Sequence, residues 1–431
     1  MEHIGSRAMS LYLSGRMSSA GCADFRSETR ARLEAISRAV RKSDLPCCMY
    51  PGCTAESPPE DLHLHHIVPK RYWGGSEQEN GILLCARHHL WAHHFIFPPA
   101  FCLAFRDGRF PPDFQEMLLF PLERLWQEVC DLSEFSPVSN TMDDERRLET
   151  LALIRMVAAY HPSRKSNRGI WARIMAWSAS EQAAMLTAIV PGRMPTTPIQ
   201  RHPRHLITDL LTESNRYSQH AGDRLLAPRN LNVSAVNYNA LLQFHLASRD
   251  IQKSESCIPE TGTSDMHMDL RDYRAYVARQ GAAIFAKTGD DRASRAARRA
   301  IRLSRDVSES AHVEANVRYL EAAILVGDVT ESRKAFRQVL EESKEGVPIR
   351  VVIRQKVLAA YHLCLEDYRT ARHLTEAALG IALRAGLGHQ GHKLQNMLVA
   401  IERRKTWRRN WALGANGKTG GRPSLRLAAL L

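Results

Sequence analysis

The chain lacks any uninterrupted apolar run approaching the roughly 18 to 20 residues that a bilayer-spanning helix needs, so no transmembrane helix is expected. It also lacks the apolar stretch of a secretory leader. The SSAGC segment ending at Cys22 has no apolar core before it, so neither export nor lipidation is expected and the sequence reads as cytoplasmic and soluble, with no membrane partner. Cysteine is sparse, nine residues in 431, and Cys47, Cys48, Cys53 and Cys85 gather near one motif. That distribution speaks for metal binding plus scattered buried thiols and against a disulfide framework. Acidic residues are in deficit, 46 against 59 Lys and Arg, which leaves a formal charge of +13 and a pI near 9.5. Such a balance attracts polyanions in a salt-sensitive, sequence-blind way.

What is present is concentrated between Leu64 and His94, in LHHIVPKRYWGGSEQENGILLCARHHLWAHH. Thirteen residues separate His66 from Asn80 and include Gly74-Gly75, a spacing that suits two short strands joined by a turn. From His89 the sequence reads HLWAH, so His89 and His93 lie one helical turn apart on one face, where two imidazoles can bind one cation. His65 supplies a third ligand from the hairpin and leaves an open position for water or a phosphate oxygen. His66 has the opposite pleat direction on a strand, which suits a general base, and histidine titrates near neutrality without much tuning. Asn80 can orient the imidazole, hold the loop or act as a ligand. His3, His63, His94 and His220 read as ordinary surface or core histidines. A second set with metal-ligand chemistry, Cys48, Cys53, Cys85 and His88, is interleaved with the first.

Two adjacent histidines, then asparagine, then two histidines one turn apart resemble the HNH, or ββα-metal, endonucleases over residues 45–95, and their nuclease-colicin-like branch most of all. HHIVP, the Gly-Gly turn and NGILLC before the helix match that pattern. The resemblance implies metal ligation by His65, His89 and His93, a general base at His66 and an orienting role for Asn80. It implies DNA as substrate and a divalent metal, Mg, Mn, Zn or Ni. It also implies a structural zinc knuckle made by Cys48, Cys53, Cys85 and His88, with histidine at the last position where the family more often has cysteine. Cys47 competes with Cys48 for that role. Lys70, Arg71 and Arg87 are candidate phosphate contacts, with a solvated basic face as the plainer reading.

Elsewhere the pattern is helical. Residues 24–42 read as a basic amphipathic helix, CLAFRDGRF as a hairpin about Asp107-Gly108, and Phe114 to Val129 as a helix interrupted at Pro121. Pro191 to Pro203 reads as a linker, and residues 249–265 as a polar break. Toward the C-terminus, small residues recur in pairs seven apart, Ala293 with Ala300, Ser332 with Val339 and Ala371 with Ala378, at steps of 39 residues. Each pair follows an acidic turn, at Gly289-Asp290, Gly327-Asp328 and Glu366-Asp367. Repetition of such a unit predicts a solenoid. Residues 270–405 resemble tetratricopeptide-like repeats, although the period is longer than 34 and the aromatic signature is thin. A protein or peptide partner is implied.

The expected class is mainly α: a small α+β nuclease module, a helical region, then an α-solenoid of helix-turn-helix repeats. The boundaries are a basic N-terminal helix at 1–44, the nuclease module with its zinc knuckle at 45–130, a helical middle at 131–265, repeats at 266–410 and a basic flexible tail at 411–431, containing Trp411. The function expected is metal-dependent hydrolysis of DNA phosphodiester bonds. The alternative is a zinc-stabilised nucleic-acid-binding or adaptor protein that does not cleave.

Overall fold

The computed structural model describes residues 27–51, 53, 61–67, 78–93, 99–111, 113–133, 144–190, 204–259, 269–288, 292–305, 307–341, 348–385, 387–402 and 431. The Pro191 to Pro203 linker, Lys70, Arg71 and Gly74-Gly75 lie outside them, as does the tail apart from Leu431. The chain is mainly helical, with one two-stranded sheet among the described residues. It divides into two compact units, Met1–Met185 with Pro198–Gly222, and Leu186–Thr197 with Asp223–Leu431.

In the N-terminal unit the basic helix α1 spans Ser27–Arg41 and turns Leu33 and Ser37 inward. Strands β1 (Leu62–His66) and β2 (Gly81–Cys85) pair antiparallel, with His65 opposite Ile82 and His66 opposite Gly81. β2 is GILLC, apolar at successive positions. It is buried along its whole length because α1 and α2 (Ala86–His93) both pack against it. A continuous apolar run of this kind is what a strand covered on both faces requires.

The stretch around Asp107-Gly108 departs from the expected hairpin. Residues Pro99–Arg106 form helix α3, with Phe101, Cys102 and Phe105 buried at helical spacing. Gly108, at φ 74°, ends that helix: its N–H donates to Phe105 O at 2.9 Å, and Arg109 N–H donates to Ala104 O at 3.0 Å. A glycine in the left-handed region closes a helix as readily as it turns a hairpin, and the apolar spacing before it decides between the two. Only glycine fits here for a second reason, since a Cβ at residue 108 would stand 2.7 Å from Val40 Cγ1 of α1.

The break at Pro121 is present. Helix α4 (Phe114–Met117) ends before it and α5 (Leu122–Asp131) starts after it, with Pro121 at the N-cap. Helices α6 (Asp144–Tyr160), α7 (Arg168–Ile189) and α8 (His205–Ala221) follow. Fully buried Arg155 donates from Nη1 to Gln182 Oε1 at 2.9 Å, and Gln182 Nε2 donates to Leu148 O at 3.1 Å, which ties α6 to α7.

The C-terminal unit is a succession of helix hairpins: α9 (Leu226–Ala240) with α10 (Phe244–Cys257), α11 (Leu270–Thr288) with α12 (Arg292–Arg305), α13 (Glu309–Val326) with α14 (Val329–Glu341), and α15 (Pro348–Cys364) with α16 (Tyr368–Arg384), then α17 (Gly388–Glu402). The polar break expected from residue 249 instead begins inside α10, which continues to Cys257 with Ala247, Ile251 and Ser254 inward. Inward positions spaced three or four apart suffice for a helix even where the residues between them are charged.

The 39-residue period is structural. Ala293, Ala300, Ser332, Val339, Ala371 and Ala378 are each 0% exposed and sit at matched positions of α12, α14 and α16. Small side chains at those places let the paired helix approach closely. Two of the three acidic turns repeat as well, the Gly289-Asp290 turn lying outside the described residues. Gly327 and Glu366 both have positive φ, 80° and 63°. Asp328 N–H donates to Ala323 O and Asp367 N–H donates to His362 O, each at 3.0 Å. Asp328 Oδ1 accepts from Glu331 N–H and Asp367 Oδ1 from Thr370 N–H, capping the helix that follows.

The left-handed cost at this turn predicts an asymmetry. Gly327→Ala should lower stability by about 1–2 kcal/mol, because alanine must adopt a conformation that glycine holds freely. Glu366→Ala should cost less, since a side-chain-bearing residue already stands there. Urea denaturation of the two variants checks this; equal midpoints would contradict the assignment.

Candidate metal centre

Four donors converge in the N-terminal unit from three separate stretches. Cys48 and Cys53 come from the segment after α1, Cys85 ends β2, and His88 lies in the first turn of α2. Their ligand atoms all lie within 4.8 Å of one another. Cys48 Sγ and Cys85 Sγ each stand 3.3 Å from His88 Nδ1. Cys48, Cys85 and His88 are buried and Cys53 is half-buried.

The backbone sets this up. Met49 N–H donates to Leu83 O at 2.8 Å, laying the cysteine segment beside β2. Cys53 N–H donates to Tyr50 O at 3.1 Å, closing a tight turn between the two cysteines, and Arg41 Nη2 of α1 donates to Cys53 O at 2.8 Å. Because β2 runs into α2 with no intervening residue, Cys85 and His88 are three apart at a strand-to-helix junction. Between Cys47 and Cys48 the geometry is decisive: Cys47 Sγ turns away to Ser37 O at 3.7 Å, and Cys48 joins the cluster.

The donor set fits a zinc-type cation. Three thiolates and one imidazole form an ordinary tetrahedral structural site, and sulfur ligands at about 2.3 Å from a metal imply separations of about 3.5–4 Å between neighbouring donors. Hydrogen bonds within the cluster hold the Cys48 thiol above its ordinary range, those to Cys53 and Cys85 first and burial after them. The Cys48 contact draws the Cys85 thiol down to about 6, assisted by His88.

A second layer surrounds the imidazole. His88 Nε2 is 2.5 Å from the Tyr160 hydroxyl, a residue at the end of α6 and 72 positions away in sequence. Tyr50 stacks on His88 with ring centroids 4.1 Å apart and on Tyr160 at 5.3 Å, while Phe105 and Phe110 meet Tyr50 edge-on. Burial raises both tyrosines above their usual range. With Nδ1 turned to the sulfurs, the Nε2 proton is the one available to Tyr160, which fixes the tautomer a metal ligand needs. Arg87 is exposed, its guanidinium 5.5 Å from the Tyr160 ring.

The neighbouring histidine set is brought together in part. His63 and His65 share one pleat face of β1, and His89 of α2 lies across it, 4.9 Å from the His63 ring and stacked, 5.3 Å from the His65 ring and edge-on. His88 and His89 thus serve different clusters, as a helix requires when it turns about 100° per residue. His66 occupies the opposite face of β1 and ends the strand opposite Gly81. Asn80 is buried at the entry to β2, its carbonyl accepting from Ile67 N–H at 2.8 Å. Arg106 Nη1 donates to Glu79 O at 2.7 Å beside it. His93 lies on α2 one turn beyond His89, its side chain outside the described residues. His63 is the member that sequence reasoning set aside; its two-residue spacing from His65 on a strand was the available signal.

Two outcomes follow for the cysteine cluster. Tyr160→Phe should weaken metal affinity about 10–100-fold, the usual effect of losing a ligand's outer partner, in a chelator competition; unchanged affinity would remove Tyr160 from the site. Affinity should also fall with pH, more steeply below about 6, where Cys85 gains a proton that the metal must displace. Calorimetric titration with zinc from pH 8 to 5.5 reads this, and a flat profile would contradict it. No protein-family model, curated protein or solved structure matches this chain, so its functional reading rests on the residues themselves.

Proposed function

We propose that the N-terminal unit is a metal-dependent endonuclease of the HNH, ββα-metal type that hydrolyses DNA phosphodiester bonds. The observation that carries this reading is the run β1, β2, α2, which lays His89 across the His63 and His65 face of the hairpin, with His66 and Asn80 at the hairpin's adjoining ends. In this reading His65, His89 and His93 hold a divalent cation, Mg, Mn, Zn or Ni. When bound, the cation supplies positive charge against the charge that grows on the phosphoryl oxygens. His66 takes the proton of the attacking water, and Asn80 fixes the loop and the imidazole. Cys48, Cys53, Cys85 and His88 hold a structural zinc that locks the hairpin to the helix. Lys70, Arg71 and Arg87 contact phosphates, and the +13 charge of the chain favours a polyanionic substrate. The helical repeats act as a tetratricopeptide-like module for a protein or peptide partner or for regulation.

A second reading has its own support. The buried Cys3His cluster would by itself stabilise a small module, which could bind nucleic acid or act as an adaptor without cutting.

Nicking of supercoiled plasmid in the presence of a divalent metal separates the two. His66→Ala should reduce the rate at least about 100-fold, the scale of a general base, with melting temperature and zinc content unchanged. If wild type and variant cut equally, His66 is not the base; if pure wild type cuts nothing with any of the four metals, the binding reading stands.

A further inference from the structure

Inside the helical-repeat unit four cations meet one carboxylate. Lys287 lies in the last turn of α11, Arg318 and Glu321 on α13, Lys356 on α15, and Gln390 and Lys393 on α17, and all six are buried. Glu321 is shared: Arg318 Nη1 approaches Oε2 at 2.7 Å and Lys287 Nζ approaches Oε1 at 3.6 Å. Lys356 Nζ donates to Gln390 Oε1 at 3.1 Å. Lys356 and Lys393 then converge on a single acceptor, the main-chain oxygen of Leu431, at 2.8 and 3.0 Å. Leu431 is 1% exposed, so its aliphatic side chain is enclosed together with that oxygen.

With all four groups protonated, the cluster would carry a formal 4 − 1 = +3 against Glu321, which burial opposes either by stripping protons from the lysines or by taking up an anion. Burial, opposed by Glu321 and reinforced by Lys287 and Arg318, draws Lys356 down to about 7, and Lys393 is also held well below the ordinary lysine range. The oxygens that this cluster already engages are of carboxylate and carbonyl type. Arg318 Nη1 is held by Glu321, while the ammonium groups of Lys356 and Lys393 are the donors that meet at a single oxygen, and they act there as point charges rather than as a planar fork.

We propose that Lys287, Lys356 and Lys393, with Arg318 and Glu321 behind them, form a binding site for a carboxylate next to an aliphatic side chain, and that the Leu431 oxygen occupies one of its oxygen positions. Two occupants offer an oxygen beside an aliphatic side chain: Leu431 of this chain, whose main-chain oxygen is already engaged, or a peptide that ends in an aliphatic residue with a free α-carboxylate. The site is independent of the nuclease reading, since it uses no residue of the N-terminal unit.

The test uses the full chain and two probes, a pentapeptide ending in leucine as the free acid and the same peptide as the amide. Isothermal titration measures binding, and hydrogen–deuterium exchange follows the fragment that contains Leu431. Variants Lys356→Met and Lys393→Met are accompanied by Lys393→Arg, which keeps the charge, with near-UV circular dichroism as the check on folding. Binding of the acid at least tenfold tighter than the amide, lost in the methionine variants and retained in Lys393→Arg, with faster exchange at Leu431 on peptide addition, supports the site with an external ligand. No peptide binding, but exchange at Leu431 at least tenfold faster in a folded methionine variant, supports it with this chain's own residue as ligand. Acid and amide binding alike, or no binding together with unchanged exchange at Leu431 in folded variants, overturns the proposal.

Discussion

In the N-terminal unit the constraint on which the rest depends is the convergence of three thiols and an imidazole within 4.8 Å. A direct junction between β2 and α2, with no residue between them, cannot by itself fix the angle between strand and helix. Cys85 and His88 do so by sharing a centre with Cys48 and Cys53, which are tied in turn to β2 through Met49 and to α1 through Arg41. Tyr160 extends that tether to α6. Once the first turn of α2 is fixed, the next residue, His89, has its direction set and falls on the face of His63 and His65. The cysteine cluster and the histidine face are therefore joined through one turn of α2. A two-stranded hairpin is marginal alone, and burying β2 between two helices around a polydentate centre is the physical remedy.

The C-terminal unit is held by different means. Helices approach closely wherever the 39-residue period places a small residue, and the turns are shaped by a left-handed residue followed by an aspartate cap. The lysine cluster is drawn from α11, α15 and α17, and it does not follow the 39-residue period: Lys287, Lys356 and Lys393 stand at intervals of 69 and 37.

What was legible in the sequence was local or periodic. The four zinc-type donors, the hairpin followed by a helix, the basic helix α1, the interruption at Pro121 and the buried small-residue pairs all follow from spacing that a strand or helix converts directly into position. What was not legible required either long-range pairing or a choice between equivalent signals. Tyr160 carries no mark of its partnership with a histidine 72 residues earlier. Asp107-Gly108 serves a hairpin and a helix end equally well until Phe101, Cys102 and Phe105 are known to pack as one face. Cys47 and Cys48 differ only in which way the chain turns. His63 was passed over because an isolated histidine has an ordinary explanation until its strand neighbour is placed beside it.

The central claim is that Cys48, Cys53, Cys85 and His88 bind one cation and through it set the geometry of the hairpin and helix. X-ray absorption at the zinc edge on the purified full chain tests it most directly. The account predicts one equivalent of metal with three sulfur neighbours at about 2.3 Å and one nitrogen at about 2.0–2.1 Å. A metal-free protein whose hairpin and α2 remain fully protected from hydrogen exchange, or a first shell of oxygen and nitrogen without sulfur, would contradict it.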